Sequence, residues 1–174
     1  MIRSYYRLWS LFLVIVTTTV LVMSFYFEYV LNLNPCPLCL MQRLCVVLLL
    51  ALVCMSFYFH QAPLARKILV LQMVVASAGF FFAVRQLWLQ TLSVEQIPVC
   101  LPGLGMMIHY LPWSEVAHAL LLGAGDCSEI TWTWLGLSMP AWTSLYFLGM
   151  LLASLLCYTH FCKITYPFNK TSKS

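Results

Sequence analysis

Two cysteines and an arginine in the stretch NPCPLCLMQR, residues 34–43, could carry chemistry. Cys36 and Cys39 have the CxxC spacing typical of redox dithiols, whose thiolate is favoured by nearby positive charge. A structural zinc site would need four ligands, normally a second such pair. The other cysteines offer none, since Cys100 and Cys127 stand alone. A permanent structural disulfide would close only a two-residue gap and fix little chain entropy. Pro37 suits the first position of a helix, which would make Cys36 its N-cap. Cys39 then lies in the first turn, near the partial positive charge of a helix N-terminus. Arg43 follows four residues later on the same helical face. Helix end and cation both favour a thiolate at Cys39, while partial burial opposes it.

Cys100 and Cys127 are a second pair of candidates, with 26 residues between them. If bonded to each other, they would close a loop worth about 3–4 kcal/mol in the chain-entropy model. A purely structural disulfide is therefore one reading. The intervening segment PWSEVAHALLL supplies another. Pro112 fits the first helical position, and Trp113, Val116, Ala117, Leu120 and Leu121 recur at helical spacing. Ser114, Glu115 and His118 take the other side. Such a helix is too short to span a bilayer and fits an interfacial amphipathic segment. GAGD then gives flexible backbone just before Cys127. On this reading the loop is tethered level with Cys36 and Cys39, where the two thiol pairs can exchange.

The elements that must hold these residues are membrane spans. The 174-residue chain is 63% hydrophobic and 8% charged, against about 25% charged for soluble domains; its mean hydropathy is +0.91. The net charge of +4 forms no basic patch that would point to nucleic acid. Four segments reach the roughly 20 apolar residues a spanning helix needs, at about residues 8–31, 40–59, 68–92 and 140–162. They predict an all-α membrane protein, a four-helix bundle in one domain over residues 1–174, with a long loop at about 93–139. The first span is too long for a signal-peptide core and lacks a small-residue cleavage site, so it is expected to remain as an anchor.

Charge sets the expected orientation. Arg3, Arg7, Arg66, Lys67, Lys163, Lys170 and Lys173 fall on one side, without an acid. Glu95, Glu115, Asp126 and Glu129 fall on the other, with Glu28 near the end of the first span. The positive-inside rule then makes both termini cytoplasmic. Cys36, Cys39, Cys100 and Cys127 lie outside, where disulfides persist. Cys45, Cys54, Cys157 and Cys162 fall within spans and read as small buried hydrophobes. Arg43 and Arg85 break the charge rule near the outer ends of spans two and three. A cation inside a span usually marks function, although either side chain could snorkel to the headgroups. His109 and His118 read as interfacial histidines rather than proton relays. Trp88, Trp132, Trp134 and Trp142 read as an aromatic belt.

CPLC at the outer start of the second of four spans, the arginine four residues after its second cysteine, and the loop cysteines together resemble the DsbB family. These are bacterial inner-membrane thiol oxidoreductases that reoxidise the periplasmic oxidase DsbA. The segment DCSEITWTWLGLSMPAW is also similar to that family's, and the resemblance covers about residues 10–160. It implies that Cys100 and Cys127 form the disulfide that oxidises a DsbA-like partner, with Cys100 attacked by the partner's thiolate. It further implies that Cys36 receives the electrons and that Cys39 passes them to a quinone, ubiquinone or menaquinone. Arg43 would stabilise the charge that develops on the quinone, and Arg85 is a second candidate for the cofactor site. One departure is Gln42, where the best-known member carries an acid before the arginine. Three other readings compete with this one. A carrier of reducing equivalents across the membrane would need paired thiols through the bilayer, and the span cysteines have no CxxC spacing. A relative of the vitamin K epoxide reductases is disfavoured by the early position of CPLC. A non-enzymatic tetraspan scaffold with structural disulfides is the third.

Overall fold

The computed structural model describes residues 2–32, 35–58, 62–92, 112–123, 125–128 and 132–165. Its long elements are α1 (Ile2–Tyr29), α2 (Pro37–Tyr58), α3 (Ala62–Gln90) and α5 (Met139–Thr165). Between α3 and α5 lie a ten-residue helix, α4 (Trp113–Leu122), and a 3-10 turn, Gly125–Ser128. All four long helices contain a stretch long and apolar enough to cross a membrane: Leu8–Tyr29, Pro37–Ser56, Leu64–Gln90 and Met139–Thr159. In hydrocarbon a backbone must satisfy its own polar groups, and a helix does so within one segment. The four-helix, all-α class expected from hydropathy is the class observed.

The helices pack in the order α1, α2, α3, α5, with the most extensive interface between α3 and α5. Small residues make that interface close. Ala76, Gly79 and Ala83 bury one face of α3, and the Phe147 ring of α5 fills the space over Gly79. A methyl group at Gly79 would come within 2.2–2.6 Å of three carbons of that ring. Such small-residue contacts let membrane helices approach where no hydrophobic force drives them together. Leu38, Leu49, Val53, Leu89 and Met150 complete the core around Phe147. Two polar pairs, one buried and one partly buried, tie helices together: Ser154 Oγ donates to Gln72 Oε1 at 3.4 Å, and Tyr146 OH to Thr17 Oγ1 at 3.1 Å.

Helix starts differ slightly from expectation. Pro37 is the first residue of α2, as expected from its fixed φ, while the helix as a whole starts three residues before the expected apolar span. Pro112 stands one place earlier than expected, outside α4 rather than at its first position. Its carbonyl accepts the Val116 N–H at 3.3 Å. The apolar stripe of α4 also divides: Val116 is buried and Leu120 half-buried, while Trp113, Ala117 and Leu121 are exposed.

Residues 132–138, expected as plain loop, contain a small antiparallel hairpin that pairs Thr133 with Ser138 and Trp134 with Leu137. Leu135 and Gly136 form its turn with φ of 52° and 78°. Two successive positive φ values give the primed turn that matches strand twist, and glycine takes the second without strain. Trp142 Nε1 donates to the Trp134 carbonyl at 3.2 Å, and Ser138 Oγ to Gln90 Oε1 at 2.9 Å. The hairpin is thereby fixed to the ends of α5 and α3.

Candidate functional site

The site begins at the first turn of α2. Cys36 caps it: its carbonyl accepts the Leu40 N–H at 3.1 Å, and its Sγ accepts the Cys39 N–H at 3.3 Å. A side-chain acceptor on an N-terminal N–H is what an N-cap provides; here sulfur supplies it. The helical turn also brings the two sulfurs together, with Cys36 and Cys39 Sγ 2.6 Å apart. A disulfide can form from this arrangement without moving the backbone.

Two amides surround the sulfurs. Gln86 of α3 directs its Nε2 to Cys36 Sγ at 3.4 Å and to Cys39 Sγ at 3.3 Å. Its Oε1 accepts from Gln42 Nε2 at 2.7 Å and lies 3.7 Å from Cys39 Sγ, which can also donate to it. Both glutamines are buried. No motif or spacing singles out Gln86, and Gln42 stands out only as a departure from the family's pattern. The available signal was a polar residue within an apolar span, since such residues usually face the bundle interior.

The third sulfur comes from the loop. Cys127, in the 3-10 turn, is fully buried at 0% exposure and packs beside Cys36 in the same buried cluster. That contact holds the Cys36 thiol well above the ordinary thiol range; the Cys39 contact and burial push it the same way. Cys39 is the least buried residue of the three.

Arg85 and Gly123 seat the loop. Arg85 Nε donates to the Leu122 carbonyl at 3.1 Å, and its guanidinium lies 4.3 Å from the centre of the Trp88 ring. Leu122 is the last residue of α4, and a cation there satisfies a free carbonyl and complements the helix dipole. Gly123 follows with φ +86°, and a methyl group on it would meet Leu89 Cδ1 at 2.6 Å and Leu38 Cδ1 at 2.8 Å. Leu38 lies between the two cysteines of the CPLC stretch, so the chain leaving α4 rests directly on the site. Arg85, a sequence candidate for the cofactor, is engaged with the loop helix.

Arg43 turns toward α1. It forms an ion pair with Glu28, and its Nε donates to Ser24 Oγ at 3.0 Å and its Nη2 to the Ser24 carbonyl at 3.2 Å. The guanidinium also lies 4.7 Å from the centre of the Phe25 ring. In the sequence Glu28 stands out only by its place near the end of the first span. The pairing needs the α1–α2 contact, which no local pattern reveals. Cys100 and His109 lie outside the described residues, as does the side chain of His118. Among the described residues no group of three or more His, Cys, Asp or Glu side chains could hold a metal ion.

The site thus joins a CxxC pair, a loop cysteine and buried amides at one end of a membrane bundle. Comparison with known proteins agrees with that chemistry. The family model described as disulfide bond formation protein DsbB matches residues 6–157. A disulfide bond formation protein B of Stutzerimonas stutzeri is 40% identical over 134 residues, 76% of this chain and 82% of the relative. That of Hahella chejuensis is 43% identical over 128 residues, 72% of this chain and 77% of the relative. That of Acinetobacter baumannii is 36% identical over 175 residues, 98% of this chain and 99% of the relative. This chain belongs to the DsbB family of disulfide bond formation proteins.

Proposed function

We propose that the protein is a quinone-dependent thiol:disulfide oxidoreductase that reoxidises a periplasmic DsbA-like dithiol oxidase. The observation that carries this reading is the burial of Cys127 against Cys36. A disulfide serving only to staple the loop would have no need of a CxxC sulfur beside it.

The exchange is a series of thiolate attacks through mixed disulfides. A partner thiolate attacks Cys100 of an oxidised Cys100–Cys127 bond and releases Cys127 as a thiolate. The second partner thiol then resolves the mixed disulfide, freeing Cys100. Cys127 attacks the Cys36 sulfur of an oxidised Cys36–Cys39 bond, forming a Cys36–Cys127 bond and releasing Cys39. Cys100 closes on Cys127, restoring the loop disulfide and leaving Cys36 reduced. The electron pair then rests on the CxxC pair, whose more exposed member is Cys39.

When bound, a quinone supplies a two-electron, two-proton acceptor. The α1–α2 side of the site suits one chemically: a guanidinium, a carboxylate and a hydroxyl stand beside the Phe25 ring on an apolar wall. Arg43 would hold a carbonyl oxygen of a flat ring there, and Glu28 balances the arginine's charge. We place the protein in the inner membrane with cytoplasmic termini and the Cys36 end facing the periplasm, on the strength of the one-sided basic residues.

Anaerobic turnover tests this function. Purified protein given a reduced DsbA-like dithiol and a soluble quinone should consume one quinone per two partner thiols, followed by ultraviolet absorbance. Partner oxidation without quinone loss would overturn it. Orientation is tested by labelling Ser172→Cys in spheroplasts with an impermeant thiol reagent; labelling from outside would reverse the topology.

A further inference from the structure

Gln86 carries a further consequence. Its amide is 5% exposed, and its described hydrogen bonds go to the two sulfurs and to Gln42. One NH2 group has two hydrogens, so it can serve both sulfurs at once. Gln42 Nε2 occupies the Oε1 side at 2.7 Å. Turning Gln86 over would bring two NH2 groups face to face and aim a carbonyl at the sulfurs. With Gln42 presenting its NH2 group, the Gln86 carbonyl is engaged and its NH2 group is left for the sulfurs.

We infer that Gln86 is a catalytic residue of the Cys36–Cys39 pair, raising its oxidising power by hydrogen-bonding the reduced form, and that Gln42 is its positioning residue. Reduction of the Cys36–Cys39 bond takes two electrons. With one proton taken up, one sulfur becomes a thiol and the other a thiolate, and the Gln86 NH2 group reaches both. An N–H bond to an ionised acceptor is roughly twice as strong as one to a neutral acceptor. The same amide thus favours the reduced pair over the disulfide. Stabilising the reduced form of a dithiol makes its disulfide the stronger oxidant, here toward the loop cysteine Cys127.

The inference rests on reading Cys36 and Cys39 as a redox pair, and its test uses neither quinone nor partner. Full-length protein in detergent is equilibrated with dithiothreitol mixtures of graded ratio. The oxidised fraction of the pair is read by alkylation and peptide mass, and the pH profile of Cys39 alkylation is recorded alongside. Gln86→Leu should shift the equilibrium about tenfold toward the disulfide, which for a two-electron couple is about 30 mV. Gln86→Glu keeps the shape but presents an acceptor to the thiolate, and should shift it further in the same direction. Gln42→Leu leaves Gln86 in place but unlocked, and should give a smaller shift of the same sign. In all three the alkylation profile should move to higher pH. A merely structural role would leave both readouts at wild-type values, and that result in Gln86→Leu and Gln86→Glu overturns the inference. If neither Gln86 variant inserts, Gln42→Leu decides by the same criterion. A wild-type pair that never exchanges with dithiothreitol would overturn the redox reading and the inference together. Exchange with no effect of the variants overturns only the inference.

Discussion

Helix α2 carries cysteines in two settings. At its start, Cys36 and Cys39 are surrounded by a third sulfur and a buried amide held by a second. Less than two turns past Cys39, Cys45 is as buried as Cys36 but packs into the apolar core. Residue type and burial are the same; the neighbours differ. The polar pairs farther along the bundle, Gln72 with Ser154 and Thr17 with Tyr146, engage each other rather than a sulfur. A reactive cysteine here is made by what α3 and the loop bring to it, and the helix by itself supplies only the cap.

The largest effect should separate the two settings outright. Cys127→Ser and Cys36→Ser should each abolish partner oxidation, because each leaves a sulfur without a mate, whereas all four spans should still insert. Cys45→Ala should keep full turnover and cost about 1 kcal/mol of stability, the scale of a small core truncation. Normal partner oxidation in Cys127→Ser would erase the distinction. Next comes the ion pair. Arg43→Met should lose about 2–4 kcal/mol in kcat/KM for quinone, by comparison with loss of one preorganised oxyanion donor. Arg43→Lys should recover only part, since lysine lacks the planar fork. Glu28→Gln removes the competing anion and should move the quinone KM the opposite way from Arg43→Met. Steady-state quinone kinetics of the variants check the sign.

Two glycines sharpen the same contrast. Gly79→Ala forces a methyl group into the Phe147 ring and should destabilise the bundle by about 1–3 kcal/mol, as overpacking does. Its Cys36–Cys127 exchange should be intact. Gly123→Ala imposes a left-handed backbone on alanine at about 1–2 kcal/mol and presses on Leu38. It should slow the trapping of a Cys36–Cys127 bond, read by non-reducing peptide mapping. Equal trapping rates in the two variants would mean that Gly123 does not seat the loop. The smallest effect belongs to Arg85→Met, which removes a helix-end cation worth about 0.3–1 kcal/mol. It should weaken the same trapping slightly and leave the quinone KM unchanged; a raised KM would return Arg85 to the cofactor site.

What the sequence made legible follows from range. Hydropathy is a local property, so the four spans could be read directly. Pro37 and the cysteine spacing marked the start of α2 and its cap. The Cys36–Cys127 contact joins residues far apart in the chain; the amphipathic spacing of residues 113–121 brings the loop level with Cys36, and the family resemblance implies the exchange. Gln86 was hidden because an α3 rich in Phe, Val and Leu on every side gives little sign of which face turns inward. Arg43 was expected to act toward Cys39, but its hydrogen bonds go to α1, because Ser24 and Glu28 sit one helical turn apart on that neighbour. The hairpin at 133–138 is too short for an alternating pattern, leaving Gly136 as its main cue.

The sulfur of Cys36 is both an exchangeable atom and the acceptor that ends α2. A sulfur shared in a disulfide offers less electron density to an N–H than a thiol does. The first turn of α2 should therefore be tightened in the reduced protein and loosened in the oxidised one. Hydrogen exchange at the Cys39 amide would then follow the electron count of the site. The backbone itself becomes a gauge of redox state, legible without any label on the sulfurs.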